Sequence, residues 1–258
     1  MILTDELNKL NSTQREAVES IEGPVMVVAG PGTGKTQVLA LRIAYILEKT
    51  DTPPEAILAL TFSNAGKQSM RERLVSLIGT TGYMVQIETF HSFAETVIRT
   101  NPTYFEIADE RYQLVDDLDK YLILNEILER GNYRKLKPLK APKYYVKPLA
   151  GTIQDLKREG YFPDTFRQKI ESLELKEEEY EKLMETAQAY KDYEEEMKKR
   201  FRYDYDDLIN LVVREFSEND ELLRTFEEKY LYLLADEYQD TNPAQYKMLF
   251  SLAKFWGE

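Results

Sequence analysis

The sequence predicts an α/β protein, a parallel sheet flanked by helices, with an all-helical segment inserted between two parts of the sheet domain. Three observations predict it. Apolar runs at Val25–Val28, Ala56–Thr61, Met84–Ile87 and Tyr230–Ala235 each end in a turn or a polar cluster. The first three are followed by residues of helical periodicity, the alternation expected of strand–helix units. From about Tyr104 to the last run the pattern is helical throughout. A chain of 258 residues, 43% hydrophobic and 31% charged, is long enough to bury a sizeable core as one large domain or two of ordinary size.

In order along the chain, Asn11 or Ser12 caps a short helix in LNSTQREAVES. Gln14 lies within it and, taken alone, reads as a solvated side chain. Val25–Val28 reads as a buried parallel strand that breaks into a glycine-rich turn before an amphipathic helix containing LALRIAYIL. Pro53 and Pro54 stop that helix. The second strand, Ala56–Thr61, ends in Phe62-Ser63-Asn64, and a helix follows with Met70, Leu74, Leu77 and Ile78 on one side and Lys67, Arg71 and Arg73 on the other. The third strand runs into Thr89-Phe90-His91-Ser92. Within the helical segment, Leu114, Val115, Leu118, Leu122, Ile123 and Ile127 form a stripe. A basic stretch then carries Arg130, Arg134, Lys135, Lys137, Lys140, Lys143 and Lys147 without an acid, interleaved with Tyr133, Tyr144 and Tyr145. It reads either as a solvated connector or as a contact to a nucleic-acid backbone. The acidic helices Leu175–Arg202 and Asp206–Glu215 read as solvated faces.

The loop Ala29–Thr36, AGPGTGKT, has the chemistry of a phosphate cradle. Gly30, Gly32 and Gly34 allow backbone angles that side chains forbid, so successive N–H groups can converge on a triphosphate at a helix N-terminus. Lys35 reaches the β/γ-phosphates and the Thr36 hydroxyl ligates Mg²⁺. Ala29 and Thr33 complete the candidate nucleotide-binding set. The fourth strand ends in Asp236-Glu237-Tyr238-Gln239-Asp240, and two adjacent carboxylates beside a phosphate loop serve to hold Mg²⁺ and to polarise the attacking water. Strand tips of a parallel sheet gather along its carboxyl edge, so Lys35, Phe62, Asn64, Thr89 and His91 face one cleft. Phe62 reads equally as a core residue or as a ring that stacks on a nucleic-acid base. His91 reads as a hydrogen-bonding loop residue.

Bulk properties exclude several classes. The chain has no cysteine and one histidine, which rules out disulfides and thiolate metal sites and speaks against structural zinc. A net charge of −12 is not that of a uniformly basic nucleic-acid binder, although the charge is segregated: residues 171–258 hold 24 acids against 12 bases. There is no apolar run long enough to cross a membrane and no signal-peptide pattern, so the expected location is intracellular.

Four strings together resemble the UvrD/Rep family of superfamily 1 DNA helicases: LNSTQREAV at Leu10–Val18, AGPGTGKT at Ala29–Thr36, LTFSNAGKQSMRERL at Leu60–Leu74 with TFHSFA at Thr89–Ala94, and DEYQDTNPAQY at Asp236–Tyr246. The resemblance implies a RecA-like P-loop NTPase domain, in residues 1–103 and 229–258, around an inserted helical domain at 104–228. It implies ATP and Mg²⁺ as cofactors, and single-stranded DNA and DNA junctions as partners. The implied activity is ATP-driven 3′-to-5′ translocation in repair or replication, in the cytoplasm with the nucleoid. Residue by residue, it makes Gln14 an adenine reader, Lys35 the phosphate lysine, Thr36 and Asp236 the Mg²⁺ ligands, Glu237 the catalytic base and Gln239 a coupling residue. Phe62, Asn64, Thr89 and His91 would line the DNA path, and the insert would hold the basic stretch near duplex DNA. Ala65 stands where the family has a lysine and Ser69 where it has a glutamate.

The family continues past the acidic motif with a further strand and a second motor domain that supplies arginines to the γ-phosphate. The resemblance therefore leads us to expect an N-terminal fragment that binds nucleotide but hydrolyses it poorly and does not unwind. It also predicts a gap in the sheet between the phosphate-loop strand and the Asp236 strand, with either altered packing near Leu231–Leu234 or another segment or chain filling the slot. Two other readings share these motifs: the helicase part of a recombinational helicase-nuclease, and a nucleotide-controlled DNA-binding module without hydrolysis.

Overall fold

The computed structural model describes residues 2–254 and divides into two compact units. One takes the residues up to Glu95, Arg214–Thr241 and those from Tyr246 onward; the other takes Thr96–Val213 and Asn242–Gln245. The sequence reading sets these boundaries at 103/104 and 228/229, and residues 255–258, the end of its last segment, lie outside the described residues.

The first unit opens with α1 (Ile2–Asn8) and α2 (Ser12–Glu19). α2 begins at Asn11 because the Asn11 side chain accepts the Gln14 N–H at 2.8 Å while the Gln14 side chain accepts the Asn11 N–H at 3.1 Å. This reciprocal pair satisfies two N–H groups that a helix start leaves without partners. α3 (Lys35–Lys49) follows the glycine loop and buries Val38, Leu41, Ile43 and Ile46. β1 (Ile57–Thr61) is buried at every position. α4 (Asn64–Ile78) is capped by Ser63, whose hydroxyl accepts the Gly66 N–H at 3.1 Å. A Cβ at Gly66 would lie 2.5 Å from the Thr61 hydroxyl oxygen, so only glycine lets α4 start this close to the strand tip. β2 (Gln86–Thr89) leads directly into α5 (Phe90–Thr100).

The helical unit contains β3 (Gln113–Leu114), α6 (Asp117–Arg130), α7 (Val146–Arg158), α8 (Pro163–Glu171), α9 (Glu177–Lys199) and β4 (Arg202–Tyr203), with β3 and β4 paired in parallel. Its core joins Ile123, Leu124, Ile127 and Leu128 of α6 to Val146, Leu149 and Ile153 of α7 and Tyr190, Tyr193 and Met197 of α9. The predicted stripe is only partly inside: Val115, Ile123 and Ile127 are buried, whereas Leu114, Leu118 and Leu122 are exposed. Leu114 lies in β3 and Val115 just after it, before α6 begins; the four positions on α6 fall on two faces of a 3.6-residue helix, and α6 buries the face of Ile123 and Ile127. The basic stretch is not a free cationic arm. Glu185 of α9 accepts the N–H groups of Arg134, Lys135 and Leu136 at 2.8, 2.8 and 3.0 Å. Lys135 pairs with Glu181 at 3.1 Å, and Lys143 lies 3.8 Å from Glu129. Part of the acidic helix expected to be a solvated face thus anchors the basic stretch.

α10 (Tyr205–Glu218) and α11 (Asp220–Lys229) bring the chain to β5 (Tyr232–Ala235), and α12 (Pro243–Ala253) follows. The rings of Phe93, Phe226 and Tyr230 form an aromatic cluster within the first unit, with Phe93 edge-on to both others. The sheet is parallel in the order β2-β1-β5. Ala59 at its centre is in register with Ile87 and Leu234, and all three join the core of Leu41, Ile46, Met70 and Leu74.

The expected first strand does not form. Residues 24–30 are neither helix nor strand, and Met26 and Val28 are 79% and 86% exposed. β5 pairs with β1 on one side and has no ladder partner on the other among the described residues. A strand of a parallel sheet is made by its neighbours. Here β5 has no ladder partner on its other side among the described residues, and the apolar run pairs with nothing.

Candidate active site

The site is built at the N-terminus of α3 and the carboxyl tip of β5, both in the first unit. Gly32 and Gly34 have φ of 74° and 84°, a left-handed backbone that turns the loop so that α3 begins at Lys35. The Thr33 hydroxyl donates to the Gly30 carbonyl at 2.8 Å and pins the turn from inside. From outside, the Gln14 side-chain amide donates to the Thr33 carbonyl at 3.1 Å. Gln14 therefore has both ends engaged, one in the cap of α2 and one on the loop.

Two contacts join loop and strand tip. The Thr36 hydroxyl donates to Asp236 at 3.0 Å, and the Lys35 ammonium lies 3.9 Å from the Glu237 carboxylate. Asp236 is buried, and its backbone N–H bonds the Leu60 carbonyl of β1 at 2.8 Å, which extends the ladder to the tip of the sheet. Glu237 has φ of 50°, a strained conformation for a residue with a side chain and one that recurs at functional positions. Its carboxylate accepts from the Gln239 amide at 2.5 Å. An ammonium faces the Glu237 carboxylate here, and a hydroxyl and the Asp236 carboxylate meet at a helix N-terminus. That donor set suits a hard divalent cation shared with phosphate oxygens.

The other strand tips lie on the same sheet. Phe62 is 55% exposed and Asn64 is exposed, so the core reading of Phe62 does not hold. Thr89 is buried, and its hydroxyl accepts the Ser92 N–H at 3.1 Å at the start of α5. His91 is half-buried. Sequence reasoning missed Glu88, which accepts from Lys67 at 2.7 Å and also takes the Ser92 hydroxyl. It ties α4 to the start of α5, and no local pattern marks it. The role of Gln14 in bracing the loop was equally invisible, because its partner is 19 residues away.

Among known proteins, the UvrD/REP helicase N-terminal domain matches residues 10–255. The ATP-dependent DNA helicase PcrA of Staphylococcus aureus (strain Mu50 / ATCC 700699) is 32% identical over 247 residues, 96% of this chain and 32% of that helicase. PcrA of Staphylococcus epidermidis (strain ATCC 12228 / FDA PCI 1200) gives the same identity and coverage. The chain spans about a third of the length of these curated relatives.

Proposed function

The chain belongs to the UvrD/REP helicase N-terminal domain family, and from that premise we propose that it is the ATP-binding part of a DNA helicase that moves 3′ to 5′ on single-stranded DNA. The observation that carries this reading is the meeting of Thr36 and Asp236 at 3.0 Å beside Lys35. The loop N–H groups bind the phosphates of ATP, and Lys35 neutralises the β/γ oxygens. Thr36 and Asp236 hold Mg²⁺, which when bound supplies charge to the transferring phosphoryl group. Glu237, held beside Gln239, accepts a proton from the attacking water, and Gln239 passes the change at the γ-phosphate to the moving parts. Gln14 carries its side-chain amide from the loop to the adenine edge.

Phe62 stacks on a DNA base, with Asn64, Thr89 and His91 along the same carboxyl edge. Thr89 acts through its cap on α5 rather than through a free hydroxyl. The segment 104–228 is the inserted domain. No helix among the described residues is long and apolar enough to cross a membrane.

The test is equilibrium binding of a fluorescent ATP analogue with and without Mg²⁺, beside turnover measured with and without single-stranded DNA. Wild type is expected to bind in a Mg²⁺-dependent way, and Lys35→Ala to lose binding on the order of tenfold or more. Equal binding by wild type and Lys35→Ala would remove the phosphate-loop reading. Binding without DNA-stimulated turnover is the outcome expected of the ATP-binding part of a motor, whereas robust DNA-stimulated turnover abolished by Lys35→Ala would mean that the site is complete in this chain or in its dimer.

A further inference from the structure

The helical unit holds a groove of about 820 Å³ lined wholly by its own residues. Its aromatic wall is Phe105, Tyr112 and Phe201. Phe201 has φ of 54°, a left-handed conformation that bulky residues seldom adopt and that glycine or asparagine adopts with less strain. The ring it places there is in use. The Arg111 guanidinium lies 4.3 Å from the centre of the Phe201 ring, and Tyr112 meets the same ring edge-on at 5.4 Å.

Arg111 is fixed as a plane. Its Nε bonds one Asp109 oxygen at 3.0 Å and its Nη2 the other at 2.8 Å. The Arg111 side chain is nevertheless 65% exposed, so a flat guanidinium backed by a ring presents an open face. Nucleobases stack on such surfaces, on aromatic rings and on arginine planes alike. Lys198 and Lys199 also line the groove, Lys198 paired with Glu106 at 2.7 Å. The lining charges balance, with Arg111, Lys198 and Lys199 against Glu106, Asp109 and Glu195. A guest therefore gains little from net charge, which favours a flat base over a phosphate-led ligand.

We propose that this groove takes a nucleobase of single-stranded nucleic acid, stacked on the open face of Arg111, with Lys198 and Lys199 beside the backbone. This rests on the DNA-binding reading above and adds a second base site, on the helical unit.

The experiment compares binding of a dT homopolymer and an abasic strand of the same length by the full chain and by Phe201→Asn, Arg111→Lys and Phe62→Ala. Phe201→Asn keeps a residue at ease with the left-handed backbone, so its melting temperature checks that the fold survives. Arg111→Lys keeps the charge and removes the plane. The expected result is a loss on the order of tenfold for dT in both groove variants, with abasic binding and the salt dependence unchanged. Phe62→Ala reads the carboxyl-edge site separately. If both groove variants bind dT as wild type does, or lose both strands equally, the groove is not a base site. If wild type binds neither strand, the DNA-binding reading fails together with it. Arg111→Lys keeping full dT affinity while Phe201→Asn loses it overturns the role given to the guanidinium plane.

Discussion

Thr36 and Asp236 are 200 residues apart in sequence and 3.0 Å apart in space. The hydroxyl opens α3 and the buried carboxylate closes β5, so this one hydrogen bond ties the phosphate loop to the sheet that carries it. In Asp236→Asn the side chain keeps its size and loses its charge. The Mg²⁺-dependent part of nucleotide binding is expected to fall on the order of tenfold or more, with little change in melting temperature. Thr36→Val, which removes one neutral ligand, should lose less. A Mg²⁺ titration of analogue binding reads both, and an Asp236→Asn titration that overlays wild type would remove Asp236 from the metal site.

Much of this site was legible in the sequence because its chemistry is local. Gly32, Gly34, Lys35 and Thr36 must be contiguous to wrap a phosphate, and Asp236-Glu237 must sit at a strand tip to reach it. The failures have the opposite cause. Val28 looks like core because it is apolar, but the neighbouring strand decides burial. Lys157 carries no mark in the sequence, yet it is 1% exposed among Glu194, Asp204 and Asp207, which lie far from it along the chain. The basic stretch looks free because its partners, Glu181 and Glu185, lie about fifty residues away.

Lys157 carries the second prediction. Its ammonium is within 2.7 Å of Asp204, 2.6 Å of Asp207 and 2.8 Å of Glu194. Burial pushes Lys157 down, but Asp207, Glu194 and Asp204 outweigh it and hold the ammonium well above its ordinary value. Burial pushes Asp207 well up, against the pull of Lys157 and with the help of Asp204 and Glu194. Both folded values lie above the unfolded ones, so their contribution is present at lower pH and is lost as pH rises through them; Asp204, which burial raises but Lys157 lowers further, contributes the opposite way, its part being lost as pH falls. Lys157→Met leaves three carboxylates without their cation and is expected to cost about 3–5 kcal/mol in urea unfolding at neutral pH. That deficit should shrink between about pH 7 and pH 5, as the uncompensated carboxylates take up protons. A deficit that does not change over this range would mean the cluster is not electrostatically coupled.

The unpaired apolar run makes the last prediction. Were Val25–Val28 a central strand, a charge at Val28 would be buried without a partner and would cost several kcal/mol. With Val28 86% exposed, Val28→Lys is expected to change stability by no more than about 0.5 kcal/mol. It should also make the protein less prone to aggregate, because an exposed apolar run is a template for strand pairing. Hydrogen exchange of wild type offers an independent reading. Amides of residues 25–30 should exchange rapidly, whereas those of Leu58–Leu60, paired on both sides, should be among the slowest. Strong protection at Val25–Val28, or a Val28→Lys variant that unfolds, would show that a strand partner occupies the position beside β5 in solution.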